Sequence, residues 1–353
     1  MTSTNAPGGP LVLGPLLRYV DEAAAAIWVE VAERGMVTVE VAGRVHESHT
    51  FTVHGHHYAL VDVDGLPAGS THPYTVHFAG EQIWPRTGSA YPPPLIQTLA
   101  PDRGLQLVFG SCRTSVPHDA ATNRSYGPDV LRAFALRMAD SDPGTWPSLA
   151  LLLGDQVYAD ETSVQMQEFI AARRDIDHPP GKELKDFEEY AHLYRLAWTD
   201  PAIRWLLSTL STAMIFDDHD IRDDWNTSVA WQREIRATPW WHDRIVGGLV
   251  AYWIYQHIGN LSAAERGADD MWCEVLRVGR DGDAGAMLDT FAERSDHEPA
   301  YYRWSYHRDL GSTRVLMLDT RAARVLGAGV RQMVDDTEMG WVDDLLDGSF
   351  DHL

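Results

Sequence analysis

The sequence predicts an all-β sandwich followed by a larger α/β domain, with the boundary near residue 95. Short strand-like runs separated by turn residues fill residues 11 to about 90, the spacing expected of a sandwich. Beyond residue 104, wholly apolar runs alternate with helix-period segments, the pattern of βαβ units. Two of those runs stop abruptly in acidic residues, and open α/β sheets place their ligands at the carboxyl ends of strands. The domains are therefore read as 1–95 and 96–353.

In the first domain, residues 26–31, 36–41, 57–63 and 71–78 alternate as strands do, and Ala79-Gly80 turns the chain. The stretch Gly65-Leu66-Pro67-Ala68-Gly69-Ser70-Thr71-His72-Pro73-Tyr74 resembles the E–F region of fibronectin type III modules. Tyr91-Pro92-Pro93-Pro94 reads as a stiff linker. The sandwich is expected to stand as an independent unit without catalytic residues.

In the second domain, residues 105–109, 149–153 and 213–216 are strand-like, and residues 313–318 form a further run. Residues 129–139 fit a helix with Leu131, Phe134, Ala135 and Met138 on one face, and residues 182–198 fit another through Phe187, Tyr190, Ala191 and Tyr194. Asp200-Pro201 is a helix start, with Asp as cap and Pro in the first turn. No internal repeat is visible.

The composition narrows the class. A chain of 353 residues exceeds one ordinary core, and 44% hydrophobic residues with 13 Trp indicate a well-packed globular protein. Two cysteines, Cys112 and Cys273, make no disulfide framework and suit a reducing compartment. Residues 1–10 lack the basic and apolar segments of a signal peptide, so a cytoplasmic location is expected. The apolar stretch 245–258 is too short to span a bilayer. A net charge of −22 disfavours nucleic-acid and anionic-membrane surfaces.

The chemistry concentrates at strand ends. Gly154-Asp155 follows a buried strand; Asp155 either binds metal or caps the next helix. Tyr158 lies three residues on, as a ligand or a buried hydroxyl. In Asp217-Asp218-His219-Asp220, three carboxylates within four residues repel one another unless cations neutralise them; the run is a metal site or a solvated capping turn. Asp223, Asp224 and Asn226 add possible oxygen donors. Cys112, after Gly110-Ser111, is a thiolate ligand, a nucleophile or a small buried residue, and Arg113 offers a bidentate fork for an anion. His54-Gly55-His56-His57 looks like a metal tract but falls inside the sandwich with no carboxylate or Cys at ligand spacing. Trp240-Trp241 reads as core.

Gly110-Ser111-Cys112-Arg113, Gly154-Asp155-Gln156-Val157-Tyr158-Ala159-Asp160, Asp217-Asp218-His219-Asp220 and Leu318-Asp319-Thr320-Arg321 occur in this order. In that order they resemble the alkaline phosphatase D (PhoD-like) family of calcineurin-like metallophosphoesterases. The resemblance covers residues 105–345 and implies a metallophosphoesterase βαβ sandwich preceded by the fibronectin type III-like sandwich. It implies that Cys112, Asp155 and Tyr158 hold ferric iron. It places Asp218 as a metal ligand and His219 as the residue that meets phosphate or the leaving group. Calcium accompanies iron in the best-known form, with zinc, manganese or cobalt in relatives. Members continue to a Gly-Asp-x-His motif. Here the sequence closes on Phe350-Asp351-His352-Leu353 without one, so an incomplete C-terminal half is expected.

The function expected is metal-dependent hydrolysis of a small phosphoester. A metal-activated water is the nucleophile, His219 the general acid and Arg113 the charge-balancing cation. The alternative is a non-catalytic binding or scaffold protein. The substrate and the oligomeric state stay open.

Overall fold

In the computed structural model, which describes residues 9–100, 104–327, 329–346 and 348–352, the N-terminal strands pair as two antiparallel sheets. The first eight residues, where a leader was sought, and Leu353 lie outside the described part. The strands are β1 (Leu11–Val20), β2 (Ala25–Val31), β3 (Met36–Val41), β4 (Arg44–His49), β5 (Phe51–Val53), β6 (His56–Val63), β7 (Thr71–Phe78), β8 (Glu81–Trp84) and β9 (Leu95–Gln97). One sheet runs β1-β2-β6-β5 and the other β4-β3-β7-β8, with β9 on β7. His54-Gly55, between β5 and β6, has both φ angles positive, at 49° and 79°. That is a two-residue hairpin turn of the kind that matches strand twist, and it leads into β6, which carries His56 and His57.

Strand β2 is buried along its whole length, which a one-sided sandwich would not require. Ala25, Ile27, Val29 and Val31 face the sandwich interior with Val37, Val39, Val61 and Val76. Ala26 and Trp28 face the other way, with Leu13, Leu16, Tyr58 and Leu60, into the main core of the α/β half. The sequence reading of an independent sandwich missed this second buried face. Nor is the Pro-rich segment a free spacer. Tyr91 stacks on Trp205 at 5.7 Å, and the Pro92 carbonyl accepts the Trp205 indole N–H at 2.9 Å.

The α/β half is built on β10 (Leu107–Gly110), β11 (Leu149–Leu153) and β12 (Thr212–Ile215), parallel in that order. The first crossover carries α1 (Ala120–Tyr126) and α2 (Val130–Ala139). The second carries α3 (Val164–Arg173), α4 (Phe187–Trp198) and α5 (Pro201–Thr209). Asp200 caps α5 as expected, and Asp129, read as the first residue of its helix, is instead the cap of α2. Helix α4 starts at Phe187, later than the predicted residue 182. The reason is local: the Asp186 side chain accepts the Glu189 N–H and fixes the cap there.

After β12 come α6 (Val229–Arg236) and α7 (Trp241–Tyr252), then a π-turn, Trp253–His257. The apolar stretch 245–258 is thus a buried core helix. Trp240 and Trp241 are buried as well. Helices α8 (Ala263–Gly267), α9 (Asp270–Gly279) and α10 (Gly285–His297) follow. The run at 313–318 is not a fourth strand of the parallel sheet. It forms an antiparallel hairpin of β13 (Tyr306–Leu310) and β14 (Thr313–Met317), held to the core where the Tyr306 hydroxyl donates to the Met214 carbonyl at 2.9 Å. Strands β15 (Val325–Gly327) and β16 (Val330–Gln332) and helix α11 (Asp336–Leu345) close the described chain. No helix among the described residues is long and apolar enough to cross a membrane.

Candidate metal centre

Three loops meet at the carboxyl ends of β10, β11 and β12. The β11 loop turns at Gly154 (φ 96°) and Asp155 (φ 51°), both in left-handed backbone. A Cβ on Gly154 would lie 2.4 Å from the Asp217 Cβ and 3.1 Å from its nitrogen. Only glycine lets the two acidic loops approach this closely. The β10 loop is tied down by Cys112 N–H to the Gly154 carbonyl at 3.2 Å and Arg113 N–H to the Asp155 carbonyl at 3.0 Å.

Asp155, Asp217 and Asp218 each bring a carboxylate oxygen within 4.8 Å of the others. A second group, Asp218, Asp223 and Asp224, shares Asp218 and is more exposed. Burial, with the charges of Asp217 and Asp218, holds the Asp155 carboxyl above its usual range, against relief from the Cys112 thiol. Such crowding is unfavourable for three bare carboxylates and is relieved by a cation. Cys112 and Tyr158 stand near Asp155. The Cys112 residue is exposed and its thiol donates to the Ser111 hydroxyl at 3.2 Å, and partial desolvation raises the thiol and phenol pKa values. Both cysteines are free thiols. A thiol, a phenol and carboxylates fit a ferric site, and the outer oxygen group fits a hard cation. Asn226 is not available as a donor of this kind. Its amide is engaged by the Arg321 carbonyl at 3.1 Å and Gln232 at 2.9 Å.

His219 lies over Tyr158, with ring centroids 4.6 Å apart. Its Nδ1 meets the Asp160 carboxylate at 2.9 Å, and its backbone N–H donates to Asp155 Oδ1 at 3.2 Å. Burial alone would lower the imidazole pKa. The hydrogen bond and charge of Asp160, with Asp155 and Asp218, outweigh it and raise the pKa.

Arg113 departs from its expected role. Its Nε and Nη2 donate to Asp129 at 3.0 and 2.9 Å, and Nη1 donates to the Ala197 carbonyl at 2.8 Å. The guanidinium is spent on the cap of α2 and the end of α4, so it is a structural clamp here. The cation on the acidic cluster is Arg321, which pairs with Asp217 and reaches Asp218 at 3.1 Å. Asp319, two residues earlier, is fully buried and accepts the backbone N–H groups of Arg321, Ala322 and Ala323. Its carboxyl therefore shapes the loop that presents Arg321.

Sequence reasoning brought Cys112, Asp155, Tyr158, Asp218 and His219 to this place. It missed Asp160 and Arg321 as participants and took Asp217 only as one member of its acidic run, although all three stood within the quoted motifs. Beside Cys112, a cleft of about 530 Å³ opens between β10 and α1–α2, walled in part by Phe109, Thr114, His118 and Gln156. The His54 tract is structural. His54 bonds Asp289, and His56 bonds Glu30 and Glu188, each at 2.9 Å.

A parallel βαβ sheet with carboxylates, a thiol, a phenol and an imidazole gathered at its strand ends defines an α/β protein with a candidate metal site. The sequence profile of the PhoD-like phosphatases matches residues 131–336, more than half of the chain, and the protein belongs to that family. A domain of unknown function, DUF7800, matches residues 9–96. The solved structure of PhoD superposes with a TM-score of 0.61 at 14% identity, covering 99% of this chain and 62% of that one. This establishes the shared metallophosphoesterase fold, and the chain spans less than two thirds of that relative's length. The chitinase ChiW of a Paenibacillus species, at TM-score 0.17 and 10% identity over 71% of this chain and 28% of its own, carries no argument. No curated protein sequence matches the chain.

Proposed function

We propose that the protein hydrolyses a small phosphoester at the Asp155–Asp217–Asp218 cluster. The observation that carries this reading is the convergence of three carboxylates within 4.8 Å beside an imidazole already oriented by Asp160. Cys112, Asp155 and Tyr158 would hold an iron-type ion, and Asp218 with Asp223 and Asp224 a second, calcium-type one. When bound, such cations lower the pKa of a water and offset phosphate charge.

The chain's own groups do the rest. Asp218, common to both acidic groups, ties the two donor sets together. Asp160 fixes the His219 tautomer, leaving Nε2 to donate a proton to the departing alcohol. Arg321, rather than Arg113, supplies the positive charge facing the phosphoryl oxygens. The cleft beside Cys112 offers room for the organic part of the ester. The acidic whole-chain charge suits a small substrate better than a polyanion.

One observation favours the scaffold alternative: Arg321 already neutralises part of the acidic cluster without a metal. Elemental analysis with assays on nitrophenyl phosphate mono- and diesters separates the two readings. Bound metal and turnover, both lost in Asp155→Ala, support the hydrolase. A metal-free, inactive wild-type protein would count against the hydrolase and support the scaffold reading.

A further inference from the structure

We propose that Asp220 is a positioning residue that sets the spacing between the β11 and β12 ligand loops. This deepens the metal-centre reading and rests on it only for what the loops hold. Asp220 is 2% exposed. Its Oδ2 accepts the backbone N–H of Asp155 at 2.7 Å and that of Asp217 at 2.9 Å. One oxygen atom thus joins two residues from the loops after different strands, each with its carboxylate in the cluster. The bond to Asp217 belongs to an ordinary capping arrangement of the short turn Asp218–Asp220. The bond to Asp155, 65 residues away, does not. No local capping requirement explains it.

The second oxygen is held from a third direction. Asp220 Oδ1 accepts the Gln256 amide N–H at 3.1 Å, and the same Gln256 nitrogen meets the Tyr194 hydroxyl at 2.8 Å. Gln256 lies in the π-turn, and its backbone carbonyl accepts Arg18 Nη2 from the N-terminal sandwich at 2.6 Å. The carboxylate is therefore fixed before it fixes the loops. Partners behind ligands typically change metal affinity about 10–100-fold when removed.

The Gln256 Oε1 atom has no hydrogen-bond partner among the described residues, which makes Asp220→Asn informative. The Asn carbonyl can accept both loop N–H groups while its NH2 faces a turned Gln256 Oε1. Asparagine should rescue what alanine loses.

The test uses the whole chain in metal-free form, with amide hydrogen exchange followed in peptides covering 150–160 and 213–221. In Asp220→Ala both peptides should exchange faster, and in Asp220→Asn both should stay near wild type. Faster exchange confined to 213–221 would make Asp220 a cap of its own turn and overturn the proposal. Mn²⁺ titration of the same proteins is the second arm. Affinity should fall about 10–100-fold in Asp220→Ala and be restored by Asn. Linked exchange in a wild type that takes up no Mn²⁺ would defeat the metal reading and leave the loop tie standing. Undiminished Mn²⁺ affinity in Asp220→Ala would defeat the positioning role alone. Should the alanine variant not fold, Gln256→Met carries the same two measurements, with both peptides loosening to a smaller degree; unchanged exchange in both would overturn the proposal.

Discussion

His219 is held on three sides: by Asp160 at Nδ1, by the Tyr158 ring, and by its own backbone bond to Asp155. A side chain so constrained is suited to proton delivery, which demands placement as much as pKa. His219→Ala should slow hydrolysis of alkyl esters by roughly a hundredfold to ten-thousandfold. The loss should shrink for nitrophenyl esters, whose leaving group needs little protonation; an equal loss for both would move His219 to phosphate or metal binding. Asp160→Asn should cost roughly ten- to a hundredfold in rate while bound metal, measured by elemental analysis, is retained. Gly154 makes a different demand. Alanine there meets Asp217 at 2.4 Å in left-handed backbone, so it should destabilise by more than about 1 kcal/mol. Metal content should fall with it, and a Gly154→Ala protein with wild-type melting temperature and metal would refute the close-approach argument.

At the scale of elements, the sandwich is fastened to the α/β half by ionic contacts as well as apolar ones. His56, at the start of β6, bridges Glu30 of β2 and Glu188 of α4, and Arg195 of α4 stands 3.6 Å from Glu30. Burial would lower the His56 pKa, but hydrogen bonds and charge from Glu188 and Glu30 raise it to about 9. His56 lowers the Glu188 pKa in turn. The sign follows from linkage. The His56 contribution is fully present below its unfolded value near 6.5 and is lost as pH rises through about 9. The Glu188 share is present above its ordinary value and is lost as pH falls. The clamp is thus strongest between about pH 5 and 6.5 and weakens steadily from there to about pH 9. His56→Ala should cost about 1–3 kcal/mol at pH 7 and clearly less at pH 10, by denaturant unfolding. Equal destabilisation at both would show that packing, not charge, is what His56 provides.

Across the whole molecule, what could be read from the sequence divides by range. Strands β10 to β12, the cap Asp200 and the gathering of candidate site residues at strand ends were legible because each rests on local pattern. The hairpin of β13 and β14, the diversion of Arg113 to Asp129 and the presence of Arg321 on Asp217 were not, since each depends on groups far apart in the chain. The same holds for the second buried face of the sandwich. Period-2 alternation reads as one face in and one face out, yet here both faces of β2 are covered. Trp28 packs on Tyr255 with centroids 5.4 Å apart, and Phe51 on Trp272 at 5.6 Å. Arg18, fully buried, donates to the Tyr255 and Gln256 carbonyls and to Asn260 Oδ1. Removing residues 1–95 would uncover the partners of Leu13, Leu16, Trp28, Tyr58 and Leu60. Fully burying a large apolar side chain contributes about 1.5–3 kcal/mol, so these contacts amount to roughly 10 kcal/mol. That is comparable to the whole stability of a typical domain, about 5–15 kcal/mol. Three acceptors for Arg18 would also lose their donor, beside the π-turn that carries Gln256. A chain of residues 96–353 expressed alone should therefore be insoluble or lack a cooperative thermal transition and fixed near-ultraviolet dichroism. It should also take up no metal, because the Gln256–Asp220 tie loses its support. A soluble 96–353 fragment with a sharp transition and wild-type metal content would show that the sandwich is an accessory rather than a wall of the α/β core.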